Sequence, residues 1–186
     1  MDRICGTLKP GFSAELQWIT LWKSALTYRT DGQKWGDSWG YFAYYDDRRV
    51  RFDKGRMHRP RVPEATRANA VRFQEPKVLH FGYAFWERLL AKHRWYRMLE
   101  RIFYPTKDVR TINASYIQHL KGEQSACLSQ VPEAWIAPWL GRGMQLPEPP
   151  GDELSWHEVE CLRLFRQYGV SHSPIRELKL KASPAR

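Results

Sequence analysis

Between residues 84 and 103 the chain sets Phe85, Leu89, Tyr96, Leu99 and Phe103 at the interval of one helix face. Trp86, Leu90, His93 and Ile102 widen that stripe, while Glu87, Arg88, Arg94, Arg97 and Arg101 lie largely off it. The pattern predicts the longest helix of the protein, stopped by Pro105, which cannot donate a backbone N–H to a further turn. Asp108 predicts the cap of a second helix ending near residue 120. Ser155 with Glu158 three residues on has the form of a capping box, so a third helix is expected over 156–168, ended by Gly169. VPEAW at 131–135 predicts a short helical turn with proline near its first position.

Elsewhere the pattern shortens. AELQWITLWKSALTYR, residues 14–29, is rich in β-formers and predicts one or two strands, followed by a turn at TDGQ, 30–33. A strand over 41–45 is expected to turn at Asp46-Asp47 and return over 50–52 as a hairpin. Residues 71–73 and 78–81 predict two short strands around a turn at 74–77. MHRPRVP at 57–63 holds two prolines and predicts an extended loop. Turns are expected over 1–11, a surface loop over 141–151 and a loose basic tail over 179–186. The fold class is therefore α/β, in an α+β-like form: short strands and a hairpin packed with about three helices, in a single domain over residues 1–178.

Composition adds charge and aromaticity. The 186 residues carry a net charge of +10, with nine Trp, nine Tyr and eight Phe. A basic chain suits an anionic partner, whether nucleic acid, a membrane surface or a phosphorylated ligand. The basic residues are dispersed rather than gathered into runs, and no RNA-binding signature occurs. Cys5, Cys127 and Cys161 are widely spaced and make no zinc pattern, so free thiols in a reducing cytoplasm are expected. No stretch is apolar for the ~20 residues that a spanning helix needs. Gly-x-Ser-x-Gly, P-loop and Gly-x-Gly-x-x-Gly motifs are all missing, which removes the usual grounds for nucleophilic catalysis or dinucleotide binding.

Three segments carry a family likeness: VLHFGYAFWERLLAKHRWYRMLE at 78–100 followed by INASY at 112–116, MHRPRVP at 57–63, and VPEAW at 131–135 with SWHEVECLRLFRQYG at 155–169. In this order they resemble the C-terminal, acceptor-side portion of bacterial family-2-type glycosyltransferases, which adopt the GT-A fold. The likeness covers roughly residues 14–170, and His80, Lys92, Tyr96 and Glu100 form its most specific block. It implies transfer of a sugar from a nucleotide-sugar donor to a glycan or lipid-linked acceptor. It also implies dependence on Mn²⁺ or Mg²⁺. Complete members hold that metal through an Asp-x-Asp motif in an N-terminal Rossmann-like half. This sequence has no Asp-x-Asp, its nearest approach being Asp46-Asp47. The expectation is a chain that lacks the donor-binding half, is inactive alone, and works with a separate half that supplies it.

Site residues follow from the likeness, each beside a structural alternative. His80 would be a metal ligand, or else a buried histidine bonded to backbone. Lys92, Tyr96 and Glu100 stand four apart and share a helix face. Lys92 would contact a phosphate and Tyr96 shape the pocket, or the face is ordinary packing. His58, Arg59 and Arg61 would present cations to a diphosphate or anionic acceptor, or form a solvated basic loop. Trp35, Trp39, Tyr41, Tyr44, Tyr45 and Trp156 are expected mostly in the core, although such rings also stack on sugars and bases. Asp46, Asp47 and Asp53 are candidate general bases with nothing to choose between them. The alternative function is a basic, aromatic module for nucleic acid or another polyanion; the transferase reading expects no specific nucleic-acid binding.

Overall fold

The computed structural model describes residues 2–32, 36–52, 61–117, 125–146, 151 and 153–169. The fold is mixed α/β, and its residues cluster in two compact units. One comprises Met1–Ala84 and Ala126–Pro147 and holds the sheet; the other comprises Phe85–Ser125 and Glu148–Arg186 and is helical in its described residues.

The sheet unit is organised around β1, Ser13–Trp22. Along one edge β1 pairs in parallel with β4, Ala70–Tyr83, from Ser13↔Ala70 to Trp22↔Tyr83. Its other edge is shared by two antiparallel partners: β3, Ser38–Tyr44, beside residues 13–18, and β2, Thr27–Arg29, at Leu21↔Tyr28. β2 in turn pairs with β5, Leu128–Gln130. Leu16, Ile19, Leu21 and Trp22, which strand alternation sends to both faces of β1, are all buried. Each such side chain contributes about 1.5–3 kcal/mol on removal from water. A short helix α1, Asp2–Thr7, seats Ile4 against Ala14, Leu16 and Phe73.

Three sequence expectations change here. Residues 50–52 are not a strand, and β3 finds its partner in β1 instead of a local hairpin. Asp46 and Asp47 accept hydrogen bonds from the backbone N–H of Arg48 and Arg49, both at 2.9 Å, so the carboxylates turn the chain after β3. The hairpin that does form joins β1 to β2. Residues 70–83 are one strand, not two: Leu16 pairs with Phe73 and Trp18 with Val78, so 74–77 bulge out opposite Gln17. Residues 2–7, read as turns, are helical because burial of Ile4 outweighs the helix cost of Gly6.

The proline loop is anchored where it rejoins the sheet. Val62 is fully buried, and the 3₁₀ turn Glu64–Asn69 follows. The Thr66 hydroxyl donates to the Pro63 carbonyl at 2.8 Å, and Ser13 donates to the Thr66 carbonyl at 2.9 Å. These bonds fix the chain beside β1 just after Arg61. Residues 53–60, with His58 and Arg59, and Trp35 lie outside the described residues.

In the helical unit α2 spans Trp86–Phe103, α3 Val109–Ile117 and α5 Trp156–Tyr168, while α4, Glu133–Leu140, belongs to the sheet unit. Asp108 caps α3 by accepting from the Thr111 N–H at 2.9 Å. At α5 the Ser155 N–H donates to Glu158 Oε2 at 2.9 Å, and Gly169 ends the helix at φ +76°. Met98 of α2 packs with Cys161 and Leu164 of α5. Trp156, expected in the core, is 58% exposed.

Candidate functional site

β1 sends Trp18, Thr20 and Trp22 to one face by strand alternation. The parallel register sets His80 opposite Thr20 and Tyr83 opposite Trp22. A ladder of rings results. The Trp18 and His80 rings meet edge-on at 5.4 Å, His80 and Tyr83 at 6.0 Å, and Tyr83 stacks on Trp22 at 5.4 Å and 15°. A guanidinium stands at each end: Arg61 lies 4.1 Å from the Trp18 ring centroid, and Arg29 4.5 Å from that of Trp22. The ladder passes from the exposed Arg61 end to a buried end, where Trp22 and Arg29 are sealed.

Two glycines make room for it. A Cβ at Gly82 would lie 2.8 Å from His80 Cε1 and Nε2, so the imidazole lies along β4 over a bare backbone. A Cβ at Gly40 would stand 1.9 Å from Trp18 Nε1. That indole N–H is buried and has no acceptor among the described residues.

Electrostatics differ along the ladder. At the buried end Arg29 donates to Asp31 Oδ1 at 2.8 Å, and this bond holds the Asp31 carboxyl below its ordinary range. Burial pushes the Tyr83 phenol up, offset in part by Arg29. At the open end no carboxylate pairs with Arg61 among the described residues. The opposite face of β1 also carries stacked cations, with Arg72 over Trp39 at 4.9 Å and Arg67 over Tyr41 at 5.4 Å. There, however, Glu15 bonds Arg72 at 2.9 Å, and Gln17 accepts from Lys77 at 2.9 Å.

Lys92, Tyr96 and Glu100 belong to the helical unit, so they share no unit with His80 or Arg61. Within it they join one network. Lys92 lies 5.5 Å over the Tyr96 ring, Tyr96 stacks on Tyr116 at 6.1 Å, and the Tyr116 hydroxyl donates to Glu100 Oε1 at 2.6 Å. Lys107 pairs with the other Glu100 oxygen. Burial, and then the Glu100 carboxylate, drive the Tyr116 phenol far above its ordinary range. His93 and Arg97 are buried beside it, His93 against the Tyr116 ring and Arg97 within 3.5 Å of Asn113 Oδ1. Arg97, expected off the apolar stripe, is thus enclosed, with a hydrogen-bond acceptor in α3.

The sequence pointed to His80 and Arg61, and the structure joins them through Trp18. Trp18 and Tyr83 were missed as site residues. Alternation hints that Trp18 and Trp22 share a face, but the partner strand and its register depend on non-local pairing. Among the described residues no group of three His, Cys, Asp or Glu side chains could hold a metal, and His80 meets the Trp18 and Tyr83 rings edge-on. The described residues therefore do not by themselves form a cation shell. No described helix is long and apolar enough to cross a membrane. No family model, curated protein or solved structure matches the chain.

Proposed function

We propose that the protein is the acceptor-side part of a nucleotide-sugar-dependent, GT-A-type glycosyltransferase. The observation that carries this reading is the ladder from Arg61 through Trp18 and His80 to Tyr83. Aromatic faces take the apolar faces of sugar rings, and a guanidinium takes a phosphate or carboxylate bidentately. A carbohydrate bearing an anionic group fits that combination. The donor nucleotide sugar would be bound by a further half that carries the metal-binding carboxylates. His80 would be one ligand of an Mn²⁺ or Mg²⁺ ion completed from that half. On this reading Lys92 and Tyr96 serve the helical unit's own packing as well as an acceptor anion, and the protein works in the cytoplasm.

Binding experiments test the reading. Calorimetry with UDP- and GDP-sugars plus Mn²⁺ is expected to show no micromolar binding to this chain. A glycan array including phosphorylated sugars is expected to retain the chain and to lose it with Trp18→Ala or Arg61→Ala. A polyanion module would behave differently, its nucleic-acid affinity falling steeply with salt. Sub-micromolar, sequence-selective retardation of DNA or RNA at physiological salt would refute the transferase reading.

A further inference from the structure

The first turn of α5 lies against the middle of α2, and rings and cations gather where they meet. Arg94 donates to Glu158 Oε1 at 3.4 Å. The Trp95 ring meets Trp156 at 5.0 Å and His157 at 5.6 Å, both edge-on, and Trp156 stacks on His157 at 3.9 Å and 25°. Two indoles thus wall the imidazole. Its Nδ1 is buried with no hydrogen-bond partner among the described residues, which leaves Nε2 as the nitrogen able to meet a ligand. Trp156 itself is 58% exposed.

Arg88 and Lys92 precede Trp95 by seven and three residues, so the three side chains share one face of α2 along about 10 Å of helix. Arg88 is exposed, and no carboxylate pairs with it among the described residues. The charges that act on His157 are Lys92, Glu158 and Arg88. Glu158 is held by Arg94, and on α5 Glu160 is bonded to Arg163 at 3.0 Å. Two cations therefore face the imidazole against one carboxylate, and that carboxylate is already engaged. Burial first, and then Lys92, disfavour the charged ring.

We infer that Arg88, Lys92 and His157 Nε2 bind the phosphate group of a phosphomonoester, with the exposed Trp156 ring against its organic part. Phosphate suits this set better than a carboxylate does. It brings up to two negative charges, and enough acceptor oxygens for a guanidinium, an ammonium and an imidazole N–H together. The imidazole proton is coupled to the ligand. The cations disfavour the imidazolium, whereas a bound dianion favours it and gains a charged donor. Binding therefore takes up a proton and strengthens as His157 becomes protonated. The inference does not rest on the transferase reading: Lys92 is common to both, but no sugar is needed here, and the ring ladder lies in the other unit.

Imidazole and indole NMR of the full chain is the test, with phenyl phosphate and inorganic phosphate titrated at several pH values and His157 assigned through His157→Gln. Phenyl phosphate is expected to move the His157 and Trp156 signals on one saturable curve. It should raise the His157 titration midpoint by about one unit, which corresponds to roughly tenfold tighter binding by the protonated ring. Arg88→Gln, at an exposed position, is expected to weaken the affinity roughly tenfold, as loss of a charge-assisted hydrogen bond does. Trp156→Ala is expected to remove the advantage of phenyl phosphate over inorganic phosphate. Arg110→Gln takes an equal charge from an exposed position on α3 and is expected to change nothing. Thermal unfolding checks that each variant is folded. An unmoved His157, a midpoint that does not rise, or equal losses from Arg88→Gln and Arg110→Gln would overturn the inference. Equal affinity of the wild type for the two phosphates would overturn its assignment to an ester. The Trp18 and His80 signals report the ladder separately, so failure at one site is distinct from failure at the other.

Discussion

The ring ladder of the sheet unit and the Lys92–Glu100 network of the helical unit use the same kinds of side chain, and differ in where their charges end. In the network Glu100 is buried, and both its oxygens are taken, by Tyr116 and Lys107. In the ladder Arg61 is exposed at an open end, with a ring beneath it and no carboxylate beside it among the described residues. In the first arrangement the Glu100 carboxylate is spent on its neighbours and ties α2 to α3 through Tyr116. The second leaves an exposed guanidinium, stacked on Trp18, at its open end. Composition cannot separate a structural from a binding role; the partner of each charge can.

The sharpest way to break this contrast is to remove Glu100. Glu100→Ala strands the Tyr116 hydroxyl and unpairs Lys107, so denaturant unfolding should show a loss of about 3 kcal/mol. Sugar-phosphate binding by the remaining folded fraction should be unchanged. Next comes Gly82→Val, which forces the His80 ring from its seat. It should cost about 1–3 kcal/mol, as overpacking does, and abolish binding as well. Arg61→Ala should reverse the balance: under about 0.5 kcal/mol of stability, read by thermal melting, against roughly tenfold weaker binding.

A smaller effect concerns pH. Burial, and then the charge of Lys92, hold the His157 imidazole below its ordinary value of 6.5, with Arg88 adding to this and Glu158 opposing it. The unfolded chain thus takes up the proton first on acidification. His157 favours the fold fully above pH 6.5, and that contribution falls away as pH drops below it. His157→Gln should flatten this acid-side slope in urea titrations at successive pH values. The smallest effect is chemical. Burial pushes the Cys161 thiol up to about 11, while Cys5 and Cys127 are exposed. A thiol reagent should modify two cysteines quickly and Cys161 only on unfolding.

Local signals served the sequence reading well. The α2 periodicity, the Asp108 cap and the Ser155–Glu158 pair are each written within a few residues, and each is found as expected. What escaped depended on distant chain. The pairing of β1 with β4 makes one strand of residues 70–83 and places Trp18 and Tyr83 around His80, while the pairing of β1 with β3 takes the place of a local hairpin. Arg97 was misplaced for the same reason, since its apolar-face position becomes acceptable only when α3 brings Asn113 to it. Exposure of Trp156 and Trp139 was likewise illegible, because a tryptophan in an apolar pattern looks the same whether or not something covers it.

If the ladder is a ligand-binding surface, the indole N–H of Trp18 is its natural reporter. It is buried, lacks an acceptor among the described residues and stands between Gly40 and the His80 ring. The decisive measurement is a ¹H–¹⁵N titration of the full chain with hexose and N-acetylhexosamine 1-phosphates, with indole signals assigned by single Trp→Phe variants. Trp18 is expected to shift together with the His80 ring on one saturable curve, and Arg61→Ala to weaken the affinity which that curve reports. Titration curves that leave Trp18 and His80 unmoved, or that are indifferent to Arg61→Ala, would contradict that expectation.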